Sequence, residues 1–191
     1  MSRSGFVSLL GRPNAGKSTL LNKLVGARLA IVSDKPQTTR TRILGVKHVD
    51  TDGKPAGQIV FVDTPGVHRP LHRMNVRMVD AAVQAARDVD VVCLVADASE
   101  RTGAGTKYVL DLLDQAKKPA VLVLNKIDLV AKHKLLPIID WYRQQREFAD
   151  IVPVSALTGD GLERLEQVLL SHLPESDPLF PEDYLTDQPE R

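Results

Sequence analysis

A glycine-rich stretch near the start of the chain has the residue types that bind phosphate groups. Residues 11–18 read GRPNAGKS, so four residues separate Gly11 from the run Gly16-Lys17-Ser18. Glycines at these positions allow backbone N–H groups to turn toward phosphate oxygens, and the first turn of a following helix adds its own unpaired amides. Lys17 would reach the β- and γ-phosphates, and the Ser18 hydroxyl would bind Mg²⁺. The spacing therefore predicts a site for a nucleoside triphosphate.

Two further segments contain residues that could bind the metal ion and the γ-phosphate. Asp63 follows an apolar run and could hold Mg²⁺ through a water molecule, while the amide of Gly66 could approach the γ-phosphate closely. In QTTRTR, residues 37–42, either Thr38 or Thr39 could bind Mg²⁺ when a γ-phosphate is present. Taken alone, the first pattern is also a common turn, and the second also fits a basic surface loop. Both gain weight because they follow the phosphate-binding pattern in the chain.

The residues Asn125, Lys126 and Asp128 predict which base the site binds. A carboxylate at position 128 can accept hydrogen bonds from both N1–H and the N2 amino group of guanine. Adenine offers no such pair of donors, so an adenine nucleotide would leave the carboxylate unpaired. Asn125 would connect the base loop to the phosphate loop, and the aliphatic stem of Lys126 would cover the ring. The Ser155–Ala156 backbone would face the guanine O6, which completes the prediction of a guanine nucleotide.

The elements that must position these residues alternate along the chain. Short apolar runs predict strands at 6–10, 43–49, 58–62, 90–96, 120–125 and 151–155. Apolar residues at helical spacing predict helices at 18–26, 75–88, 104–117, 134–148 and 160–172. This alternation predicts an α/β fold of the P-loop NTPase kind, with a mostly parallel six-stranded sheet and helices on both faces. Right-handed crossovers then bring the carboxyl ends of the strands, with the residues named above, to one edge of the sheet.

The composition is that of a globular domain with a hydrophobic core. Of 191 residues, 43% are apolar and 26% are charged, and no apolar run approaches the roughly 18 residues of a membrane helix. The only cysteine, Cys93, lies in an apolar run and is interpreted as a small buried hydrophobic residue, and the absence of a cysteine pair fits a reducing, cytoplasmic setting. Residues 1–48 contain nine lysines and arginines against one acid, whereas the remainder contains sixteen against twenty-three. The basic first quarter suits anionic ligands such as phosphates or RNA, or is a solvated surface.

The C-terminal stretch differs from the rest of the chain. Residues 174–191 contain four prolines, six acids and one base, a composition that predicts an extended linker instead of a helix. We therefore expect one domain at residues 1–173 and a linker toward a further domain that would follow Arg191.

Taken together, these motifs resemble those of a known family. The segments GRPNAGKSTLLN, SDKPQTTRTR, FVDTPGVHRP, LNKID and PVSAL are similar to the G domain of the Era family of bacterial ribosome-associated GTPases, over nearly the whole chain. The resemblance implies a switch that binds GTP or GDP with Mg²⁺, hydrolyses GTP, and acts in 30S assembly and 16S rRNA maturation. It also implies a C-terminal RNA-binding KH domain, absent from this sequence, that would make most of the contact with 16S rRNA and the 30S subunit. A cytoplasmic location, some peripheral association with the inner membrane, and a monomeric G domain are implied as well.

The resemblance assigns roles to individual residues by motif. Nucleotide binding is implied for Gly11, Arg12, Pro13, Asn14, Ala15, Gly16, Lys17, Ser18, Thr19, Asp63, Thr64, Pro65, Gly66, Asn125, Lys126, Asp128, Ser155, Ala156 and Leu157. Metal binding is implied for Ser18, Thr39 and Asp63, with Thr39 preferred over Thr38 because related GTPases share the TTR segment. Catalytic roles are implied for Lys17, Thr39, Gly66 and Asn14.

One position departs from the Ras-like pattern and bears on the mechanism. Ras-like GTPases place a water-orienting glutamine directly after the glycine at position 66, whereas here that residue is Val67. Relatives with an apolar residue there use a phosphate-loop asparagine, here Asn14, to help bind K⁺. We therefore hypothesise that K⁺ near Asn14 supplies positive charge to the reaction, the alternative being that Asn14 only shapes the loop. His68 and His72 are interpreted as surface or packing residues and not as bases.

Two other functions stay open from the sequence. One is a tRNA-modification GTPase, although such G domains are usually inserted in a longer chain, and the C-terminal segment here resembles Era instead. The other is a non-enzymatic scaffold that holds GDP or GTP with negligible turnover, which a complete set of nucleotide motifs does not exclude.

Overall fold

The computed structural model describes residues 2–26, 43–63 and 76–181. In chain order, the elements within these ranges are β1 (Arg3–Leu10), α1 (Lys17–Val25), β2 (Ile43–Thr51), β3 (Lys54–Val62), α2 (Val76–Arg87), β4 (Val91–Asp97), α3 (Ala104–Ala116), β5 (Ala120–Asn125), α4 (Lys132–Gln145), β6 (Asp150–Pro153) and α5 (Leu162–Ser171). A short 3-10 helix, Ile127–Leu129, follows β5.

The strands form one six-stranded sheet in the order β2-β3-β1-β4-β5-β6. Strand β1 pairs in parallel with both β3 and β4, and the parallel pairing continues through β5 to β6. Strand β2 runs antiparallel to β3 and is joined to it by a tight turn at Asp52 and Gly53, whose φ angles are 53° and 70°. Both angles are positive, as a two-residue hairpin turn of the twisted kind requires. The predicted mostly parallel sheet is therefore confirmed.

Alternate residues of each strand face two different helical layers, which explains why the strands are apolar on both sides. On one face, Phe61 belongs to a core shared with Leu24 of α1 and Leu165 of α5. On the other face, Val60 belongs to a second core that includes Leu113 of α3 and residues of α2 and α4. The two layers hold the sheet rigid, so the loops at its edges start from fixed positions.

The structure also shows the environment of Cys93 and the character of the helices. Cys93 is completely buried in β4, and burial raises the pKa of its thiol to about 12, so it acts as a small core residue. Across residues 2–26, 43–63 and 76–181, none of the helices has the length and apolar character needed to cross a membrane.

The first residues of the predicted linker lie at the amino-terminal end of β1. Glu175 forms an isolated antiparallel bridge with Arg3, and the backbone N–H of Ser4 donates to the carbonyl of Pro174 at 3.1 Å. The Arg3 guanidinium also donates to the carbonyl of Leu173 at 2.8 Å. The chain thus passes from α5 across the end of the central strand.

A buried glutamine holds the next part of this segment against the sheet. Gln58 in β3 is completely buried, and its Nε2 donates to the carbonyl of Phe180 at 2.9 Å. Its Oε1 accepts from the backbone N–H groups of Leu179 and Phe180, at 2.9 and 3.0 Å. The Phe180 ring packs against the core that contains α2, α3 and α4. We call these contacts of Gln58 with residues 179 and 180 the glutamine clamp.

Candidate nucleotide-binding site

The loop between β1 and α1 has the backbone shape of a phosphate-binding loop. Gly16 immediately precedes α1 with a φ of 94°, and Asn14 has a φ of 64°. A Cβ atom at Gly11 would overlap the carbonyl of Val95, and one at Gly16 would overlap the side-chain amide of Asn125. Both glycines are therefore required here, one by the close approach of a strand and the other by conformation and contact together.

Lys17, the first residue of α1, points back over this loop. Its Nζ donates to the carbonyls of Gly11 and Arg12, each at 2.9 Å. Burial lowers the pKa of Lys17 from 10.5 to about 8, because the ammonium is partly removed from water. An anionic oxygen that replaced these carbonyls would favour the charged form, which makes Lys17 well suited to a phosphate.

A cleft of about 500 Å³ opens in front of the loop. It is lined by Pro13, Asn14, Gly16, Lys17, Ser18, Thr19 and Lys126. The unpaired amides at the start of α1 face this cleft, and two lysines line it, so it favours a polyanion. The guanidinium of Arg12 does not line the cleft, because it forms an ion pair with Glu100 at 3.3 Å on the other side of the loop.

Two of the three residues predicted to bind Mg²⁺, Ser18 and Asp63, line the same cavity, while Thr39 lies outside the described residues. Ser18, Lys17 and Asp63 line a cavity of about 30 Å³ together with apolar residues of β1, α1, β2 and β3. In the described part of the chain, no three histidines, cysteines or acids come together as a metal cluster. Among the described residues, the Ser18 hydroxyl and the Asp63 carboxylate beside this cavity are oxygen groups of the kind that Mg²⁺ binds, usually together with phosphate and water.

Asn125 connects the base loop to the phosphate loop. It lies at the end of β5, is only 2% exposed, and donates from Nδ2 to the carbonyl of Ala15 at 2.9 Å. Its Oδ1 accepts from the backbone N–H of Ala156 at 3.0 Å. One buried amide therefore holds three loops together, those that follow β1, β5 and β6. The ends of β1 and β5 are separated by β4, so the amide bridges across a strand.

The Asp128 carboxylate, which is predicted to recognise guanine, is held in place by a buried serine. Ser155 is completely buried, and its Oγ donates to Oδ1 of Asp128 at 2.7 Å. The same Oγ accepts from the backbone N–H of Thr158 at 3.1 Å, which orients the hydroxyl proton toward Asp128. Asp128 itself is exposed, and so is Leu157, so both are accessible to a base. Because Ser155 holds Oδ1 of Asp128 in place, the orientation of the other carboxylate oxygen, Oδ2, is fixed as well.

Lys126 forms contacts that were not predicted from the sequence. Its Nζ donates to the carbonyl of Asn14 at 2.7 Å and lies 2.8 Å from Oδ2 of Asp97. Asp97 ends β4, and its side chain is 6% exposed. Burial raises the pKa of Asp97, but hydrogen bonds from Lys126 and Ser99 outweigh that effect and lower it overall. The sequence did contain a signal, because Asp97 ends a strand at the same edge as the other site residues.

The structure brings together most of the residues predicted for the site. The phosphate loop from Gly11 to Thr19, Asp63, Asn125, Lys126, Asp128, Ser155, Ala156 and Leu157 all lie at the carboxyl edge of the sheet, in the loops after β1, β3, β5 and β6. The remaining predicted residues lie outside the described residues: Thr38, Thr39, Thr64, Pro65, Gly66, Val67, His68 and His72.

Comparisons with known proteins place these features among GTPases. Residues 6–126 match the family described as 50S ribosome-binding GTPase. The chain is 50% identical over 189 residues to GTPase Era of Geotalea uraniireducens, which covers 99% of this chain and 62% of that relative. It also superposes on Aquifex aeolicus Era bound to GDP·AlF4⁻, with a TM-score of 0.78 and 40% identity over 98% of this chain and 62% of that one.

A second Era structure contains both nucleotide and RNA. This structure is of Era in complex with MgGDPNP and nucleotides 1506–1542 of 16S ribosomal RNA, and it matches with a TM-score of 0.79 and 39% identity over 99% of this chain and 63% of that one. The present chain thus spans slightly less than two thirds of the length of these relatives.

Proposed function

The chain belongs to the family of 50S ribosome-binding GTPases, and on that basis we propose that it binds GTP and GDP with Mg²⁺ and hydrolyses GTP to GDP and phosphate. The observation that carries this proposal is a pair of hydrogen bonds of the Asn125 side chain, which donates to the carbonyl of Ala15 and accepts from the backbone N–H of Ala156. These hydrogen bonds hold the base-recognition loops against the phosphate loop, so that a single nucleotide can contact both.

The guanine specificity of the site rests on Asp128. Its Oδ1 is engaged by Ser155, which fixes the plane of the carboxylate without removing its second oxygen or its charge. A carboxylate held in this way accepts from N1–H and the N2 amino group of guanine, while adenine would leave it unpaired. The stem of Lys126, anchored at its ammonium end, covers the adjacent face.

The hydrolytic step uses charge and positioning supplied by the chain. Lys17 exchanges its two loop carbonyls for oxygens of the β- and γ-phosphates and stabilises the charge that develops there. The Ser18 hydroxyl, Thr39 and, through water, Asp63 would hold Mg²⁺, which would supply positive charge to the phosphate oxygens. Gly66 would present its amide to the γ-phosphate. Position 67 is Val67, whose side chain cannot orient the attacking water as a glutamine at that position does in Ras-like GTPases.

The specificity of the site is tested by exchanging the carboxylate of Asp128 for an amide. The unchanged protein should bind GDP and reject ADP and XDP in titrations monitored by calorimetry. Asp128→Asn should lose GDP and gain XDP, because an amide N–H can donate to the O2 of xanthine where the carboxylate would be repelled. Asp140→Asn, on the exposed ion pair of α4 with Arg143, is the matched control and should retain GDP. Equal binding of ADP and GDP by the unchanged protein would contradict the proposal.

Hydrolysis is tested by single-turnover assays with GTP in K⁺ and in Na⁺. A rate above the uncatalysed background identifies an enzyme, and background turnover with retained binding identifies a nucleotide-dependent scaffold. Faster turnover in K⁺ supports the role of Asn14 in binding that ion, while equal rates in the two salts would contradict it.

The biological role that we propose is in assembly of the 30S subunit and maturation of 16S rRNA. Support comes from 50% identity to GTPase Era and from the structure of Era with a fragment of 16S rRNA. We propose that the main RNA contact is made by a C-terminal KH domain outside this sequence, and that the G domain itself is monomeric. The location proposed is the cytoplasm, with some peripheral association with the inner membrane.

RNA capture tests this role directly. This chain and the full-length gene product would each be loaded with a non-hydrolysable GTP analogue and mixed with ribosomal RNA, and the retained RNA would be sequenced. We expect only the full-length protein to retain the 3′ region of 16S rRNA. Retention of another RNA, such as tRNA, by the full-length protein would overturn the assignment to 30S assembly and leave the GTPase activity standing.

A further inference from the structure

The ammonium of Lys126 is held at two points that lie on different loops. Its Nζ donates to the carbonyl of Asn14 at 2.7 Å and contacts Oδ2 of Asp97 at 2.8 Å. Lys126 is therefore a bridge from the end of β4 to the phosphate loop, and its stem is stretched between the base loop and these two anchors.

Every oxygen of the Asp97 carboxylate is engaged. Oδ1 accepts from the backbone N–H of Ser99 at 2.8 Å and from its Oγ at 2.5 Å, and Oδ2 faces Lys126. The Asp97 side chain is 6% exposed and that of Lys126 is 32% exposed, so the carboxylate is better shielded from water than the ammonium that it holds. These contacts fix the orientation of the Asp97 carboxylate, which faces Lys126 of the nucleotide site.

The two residues joined by this bridge both have left-handed backbone conformations. Asn14 and Lys126 each have a φ of 64°, a value that side-chain-bearing residues rarely adopt and that costs free energy unless neighbouring contacts support it. The hydrogen bond from Lys126 to the Asn14 carbonyl connects the two strained points. A carboxylate that fixes the ammonium therefore supports the shape of both loops at once.

We propose that Asp97 is a positioning residue of the nucleotide site, acting through Lys126 to keep the lysine stem over the guanine ring and the phosphate loop closed around Asn14. The inference rests on the proposed function, since it assigns a role in guanine-nucleotide binding. Asp97 does not itself contact the nucleotide, because its two oxygens are occupied by Ser99 and Lys126.

Asp90, directly before β4, is a structural aspartate that can be compared with Asp97 at the other end of the strand. It lies just before β4 at the opposite edge of the sheet, and its Oδ2 accepts from the backbone N–H of Phe6 at 2.8 Å. Both aspartates brace a strand end, but only Asp97 of the two pairs with a residue of the nucleotide cleft. Asp90→Asn is therefore a matched control for the loss of one partly buried negative charge.

The test is a double-mutant cycle on GDP affinity, with Asp97→Asn, Lys126→Met and the double variant. Asp97→Asn should weaken GDP binding about tenfold, the size expected for a charge-assisted hydrogen bond, mainly by speeding dissociation. In the Lys126→Met background the same substitution should have no further effect. Asp90→Asn should leave GDP affinity unchanged, and urea unfolding of each variant would separate stability from binding.

A milder variant covers the case in which Asp97→Asn does not fold. Ser99→Ala removes one hydrogen bond to Asp97 at an exposed residue and should weaken GDP binding about threefold, again only when Lys126 is present. An equal loss of affinity with and without Lys126, or no loss at all, would overturn the inference. Failure of the unchanged protein to bind GDP would instead contradict the proposed function.

Discussion

Ser155 Oγ lies 2.7 Å from Oδ1 of Asp128, and this hydrogen bond joins a completely buried residue to an exposed carboxylate. The buried end is fixed by the fold, because Ser155 follows β6 and its hydroxyl also accepts from Thr158. The exposed end therefore keeps its orientation before any ligand arrives. Preorganisation of this kind reduces the conformational entropy lost on binding.

Removal of the Ser155 hydroxyl should weaken guanine-nucleotide binding while the fold is retained. Ser155→Ala loses the donor to Asp128, so we expect GDP affinity to fall about fivefold to tenfold, corresponding to about 1 kcal/mol. The loss should be measured by titration with a fluorescent GDP analogue. Ser171→Ala removes a similar hydrogen bond, from Ser171 Oγ to the carbonyl of Val168, on the surface of α5 and should change nothing. If Ser155→Ala left the GDP affinity unchanged, the orientation of Asp128 would not depend on Ser155, and the prediction would be wrong.

Replacement of Asn125 should affect stability and binding together. Asn125→Ala leaves the carbonyl of Ala15 and the N–H of Ala156 without their buried partner, so the free energy of unfolding should fall by about 2–3 kcal/mol. GDP binding should be lost, because the base and phosphate loops are no longer joined. Urea unfolding and calorimetric titration measure the two effects.

A stability-matched variant separates these two consequences. Val123→Ala, in the buried part of the same strand, removes core volume at a cost of about 2 kcal/mol but touches no loop of the site. We expect this variant to retain GDP affinity. If it lost as much affinity as Asn125→Ala, the effect of Asn125 would be a general loss of stability.

The lowered pKa of Lys17 predicts a pH dependence of nucleotide binding. In the free protein the pKa of Lys17 is about 8, so part of the population loses the charge above that pH. Bound phosphates favour the ammonium and raise its pKa, so binding takes up a proton above about pH 8 and affinity falls as the pH rises. Between about pH 7.5 and 9 the dissociation constant of GDP should increase up to about eightfold.

Two comparisons isolate Lys17 as the source of this effect. In Lys17→Arg the arginine keeps its charge throughout the range. The part of the pH dependence that is due to Lys17 should therefore disappear in this variant, while any part due to titration of the guanine base should remain. Titration of Lys17 does not favour unfolding as the pH rises, because in this window Lys17 binds more protons in the unfolded chain than in the folded one. The contribution of Lys17 to stability therefore increases from about pH 8 to the unfolded pKa of 10.5. A pH profile identical in both proteins would contradict the prediction.

The glutamine clamp should determine whether residues 179 and 180 stay on the sheet. Gln58→Leu keeps the side-chain size but removes one donor and one acceptor that serve three backbone groups of this segment. We expect the amides of Leu179 and Phe180 to exchange with solvent at least about tenfold faster, and the unfolding free energy to fall by about 1–3 kcal/mol. Gln167→Leu, at an exposed position of α5 bonded only weakly to Thr51 at 3.4 Å, is the control and should change neither measurement.

Much of the fold could be predicted because its signals are local. Each of the six strands was located from a short apolar run, and the phosphate loop from two glycines whose necessity is visible in the structure. Strand limits were less accurate. Strand β3 begins at Lys54, four residues before the predicted start at Gln58, because backbone pairing with β2 continues to the turn regardless of side-chain polarity.

The interactions that were missed depend on which elements become neighbours. The Asp97–Lys126 pair forms because β4 and β5 are adjacent with Asp97 opposite Asn125, and strand order is not written in any local pattern. Gln58 was assigned to a buried strand, but its polarity did not identify a partner 121 residues away. The composition of residues 174–191 indicates an extended segment and gives no information on what it contacts.

The bridge between Arg3 and Glu175 and the glutamine clamp also determine how the domain would carry mechanical load. A force applied to the chain beyond Phe180 would reach β3 at Gln58 and β1 at Arg3 and Ser4 before it reached helix α5. These two strands lie next to each other inside the sheet, where both edges are paired and resistance to shear is greatest. They are also the two strands whose opposite ends carry the phosphate loop and Asp63, so tension on that segment would run directly toward the proposed phosphate-binding site.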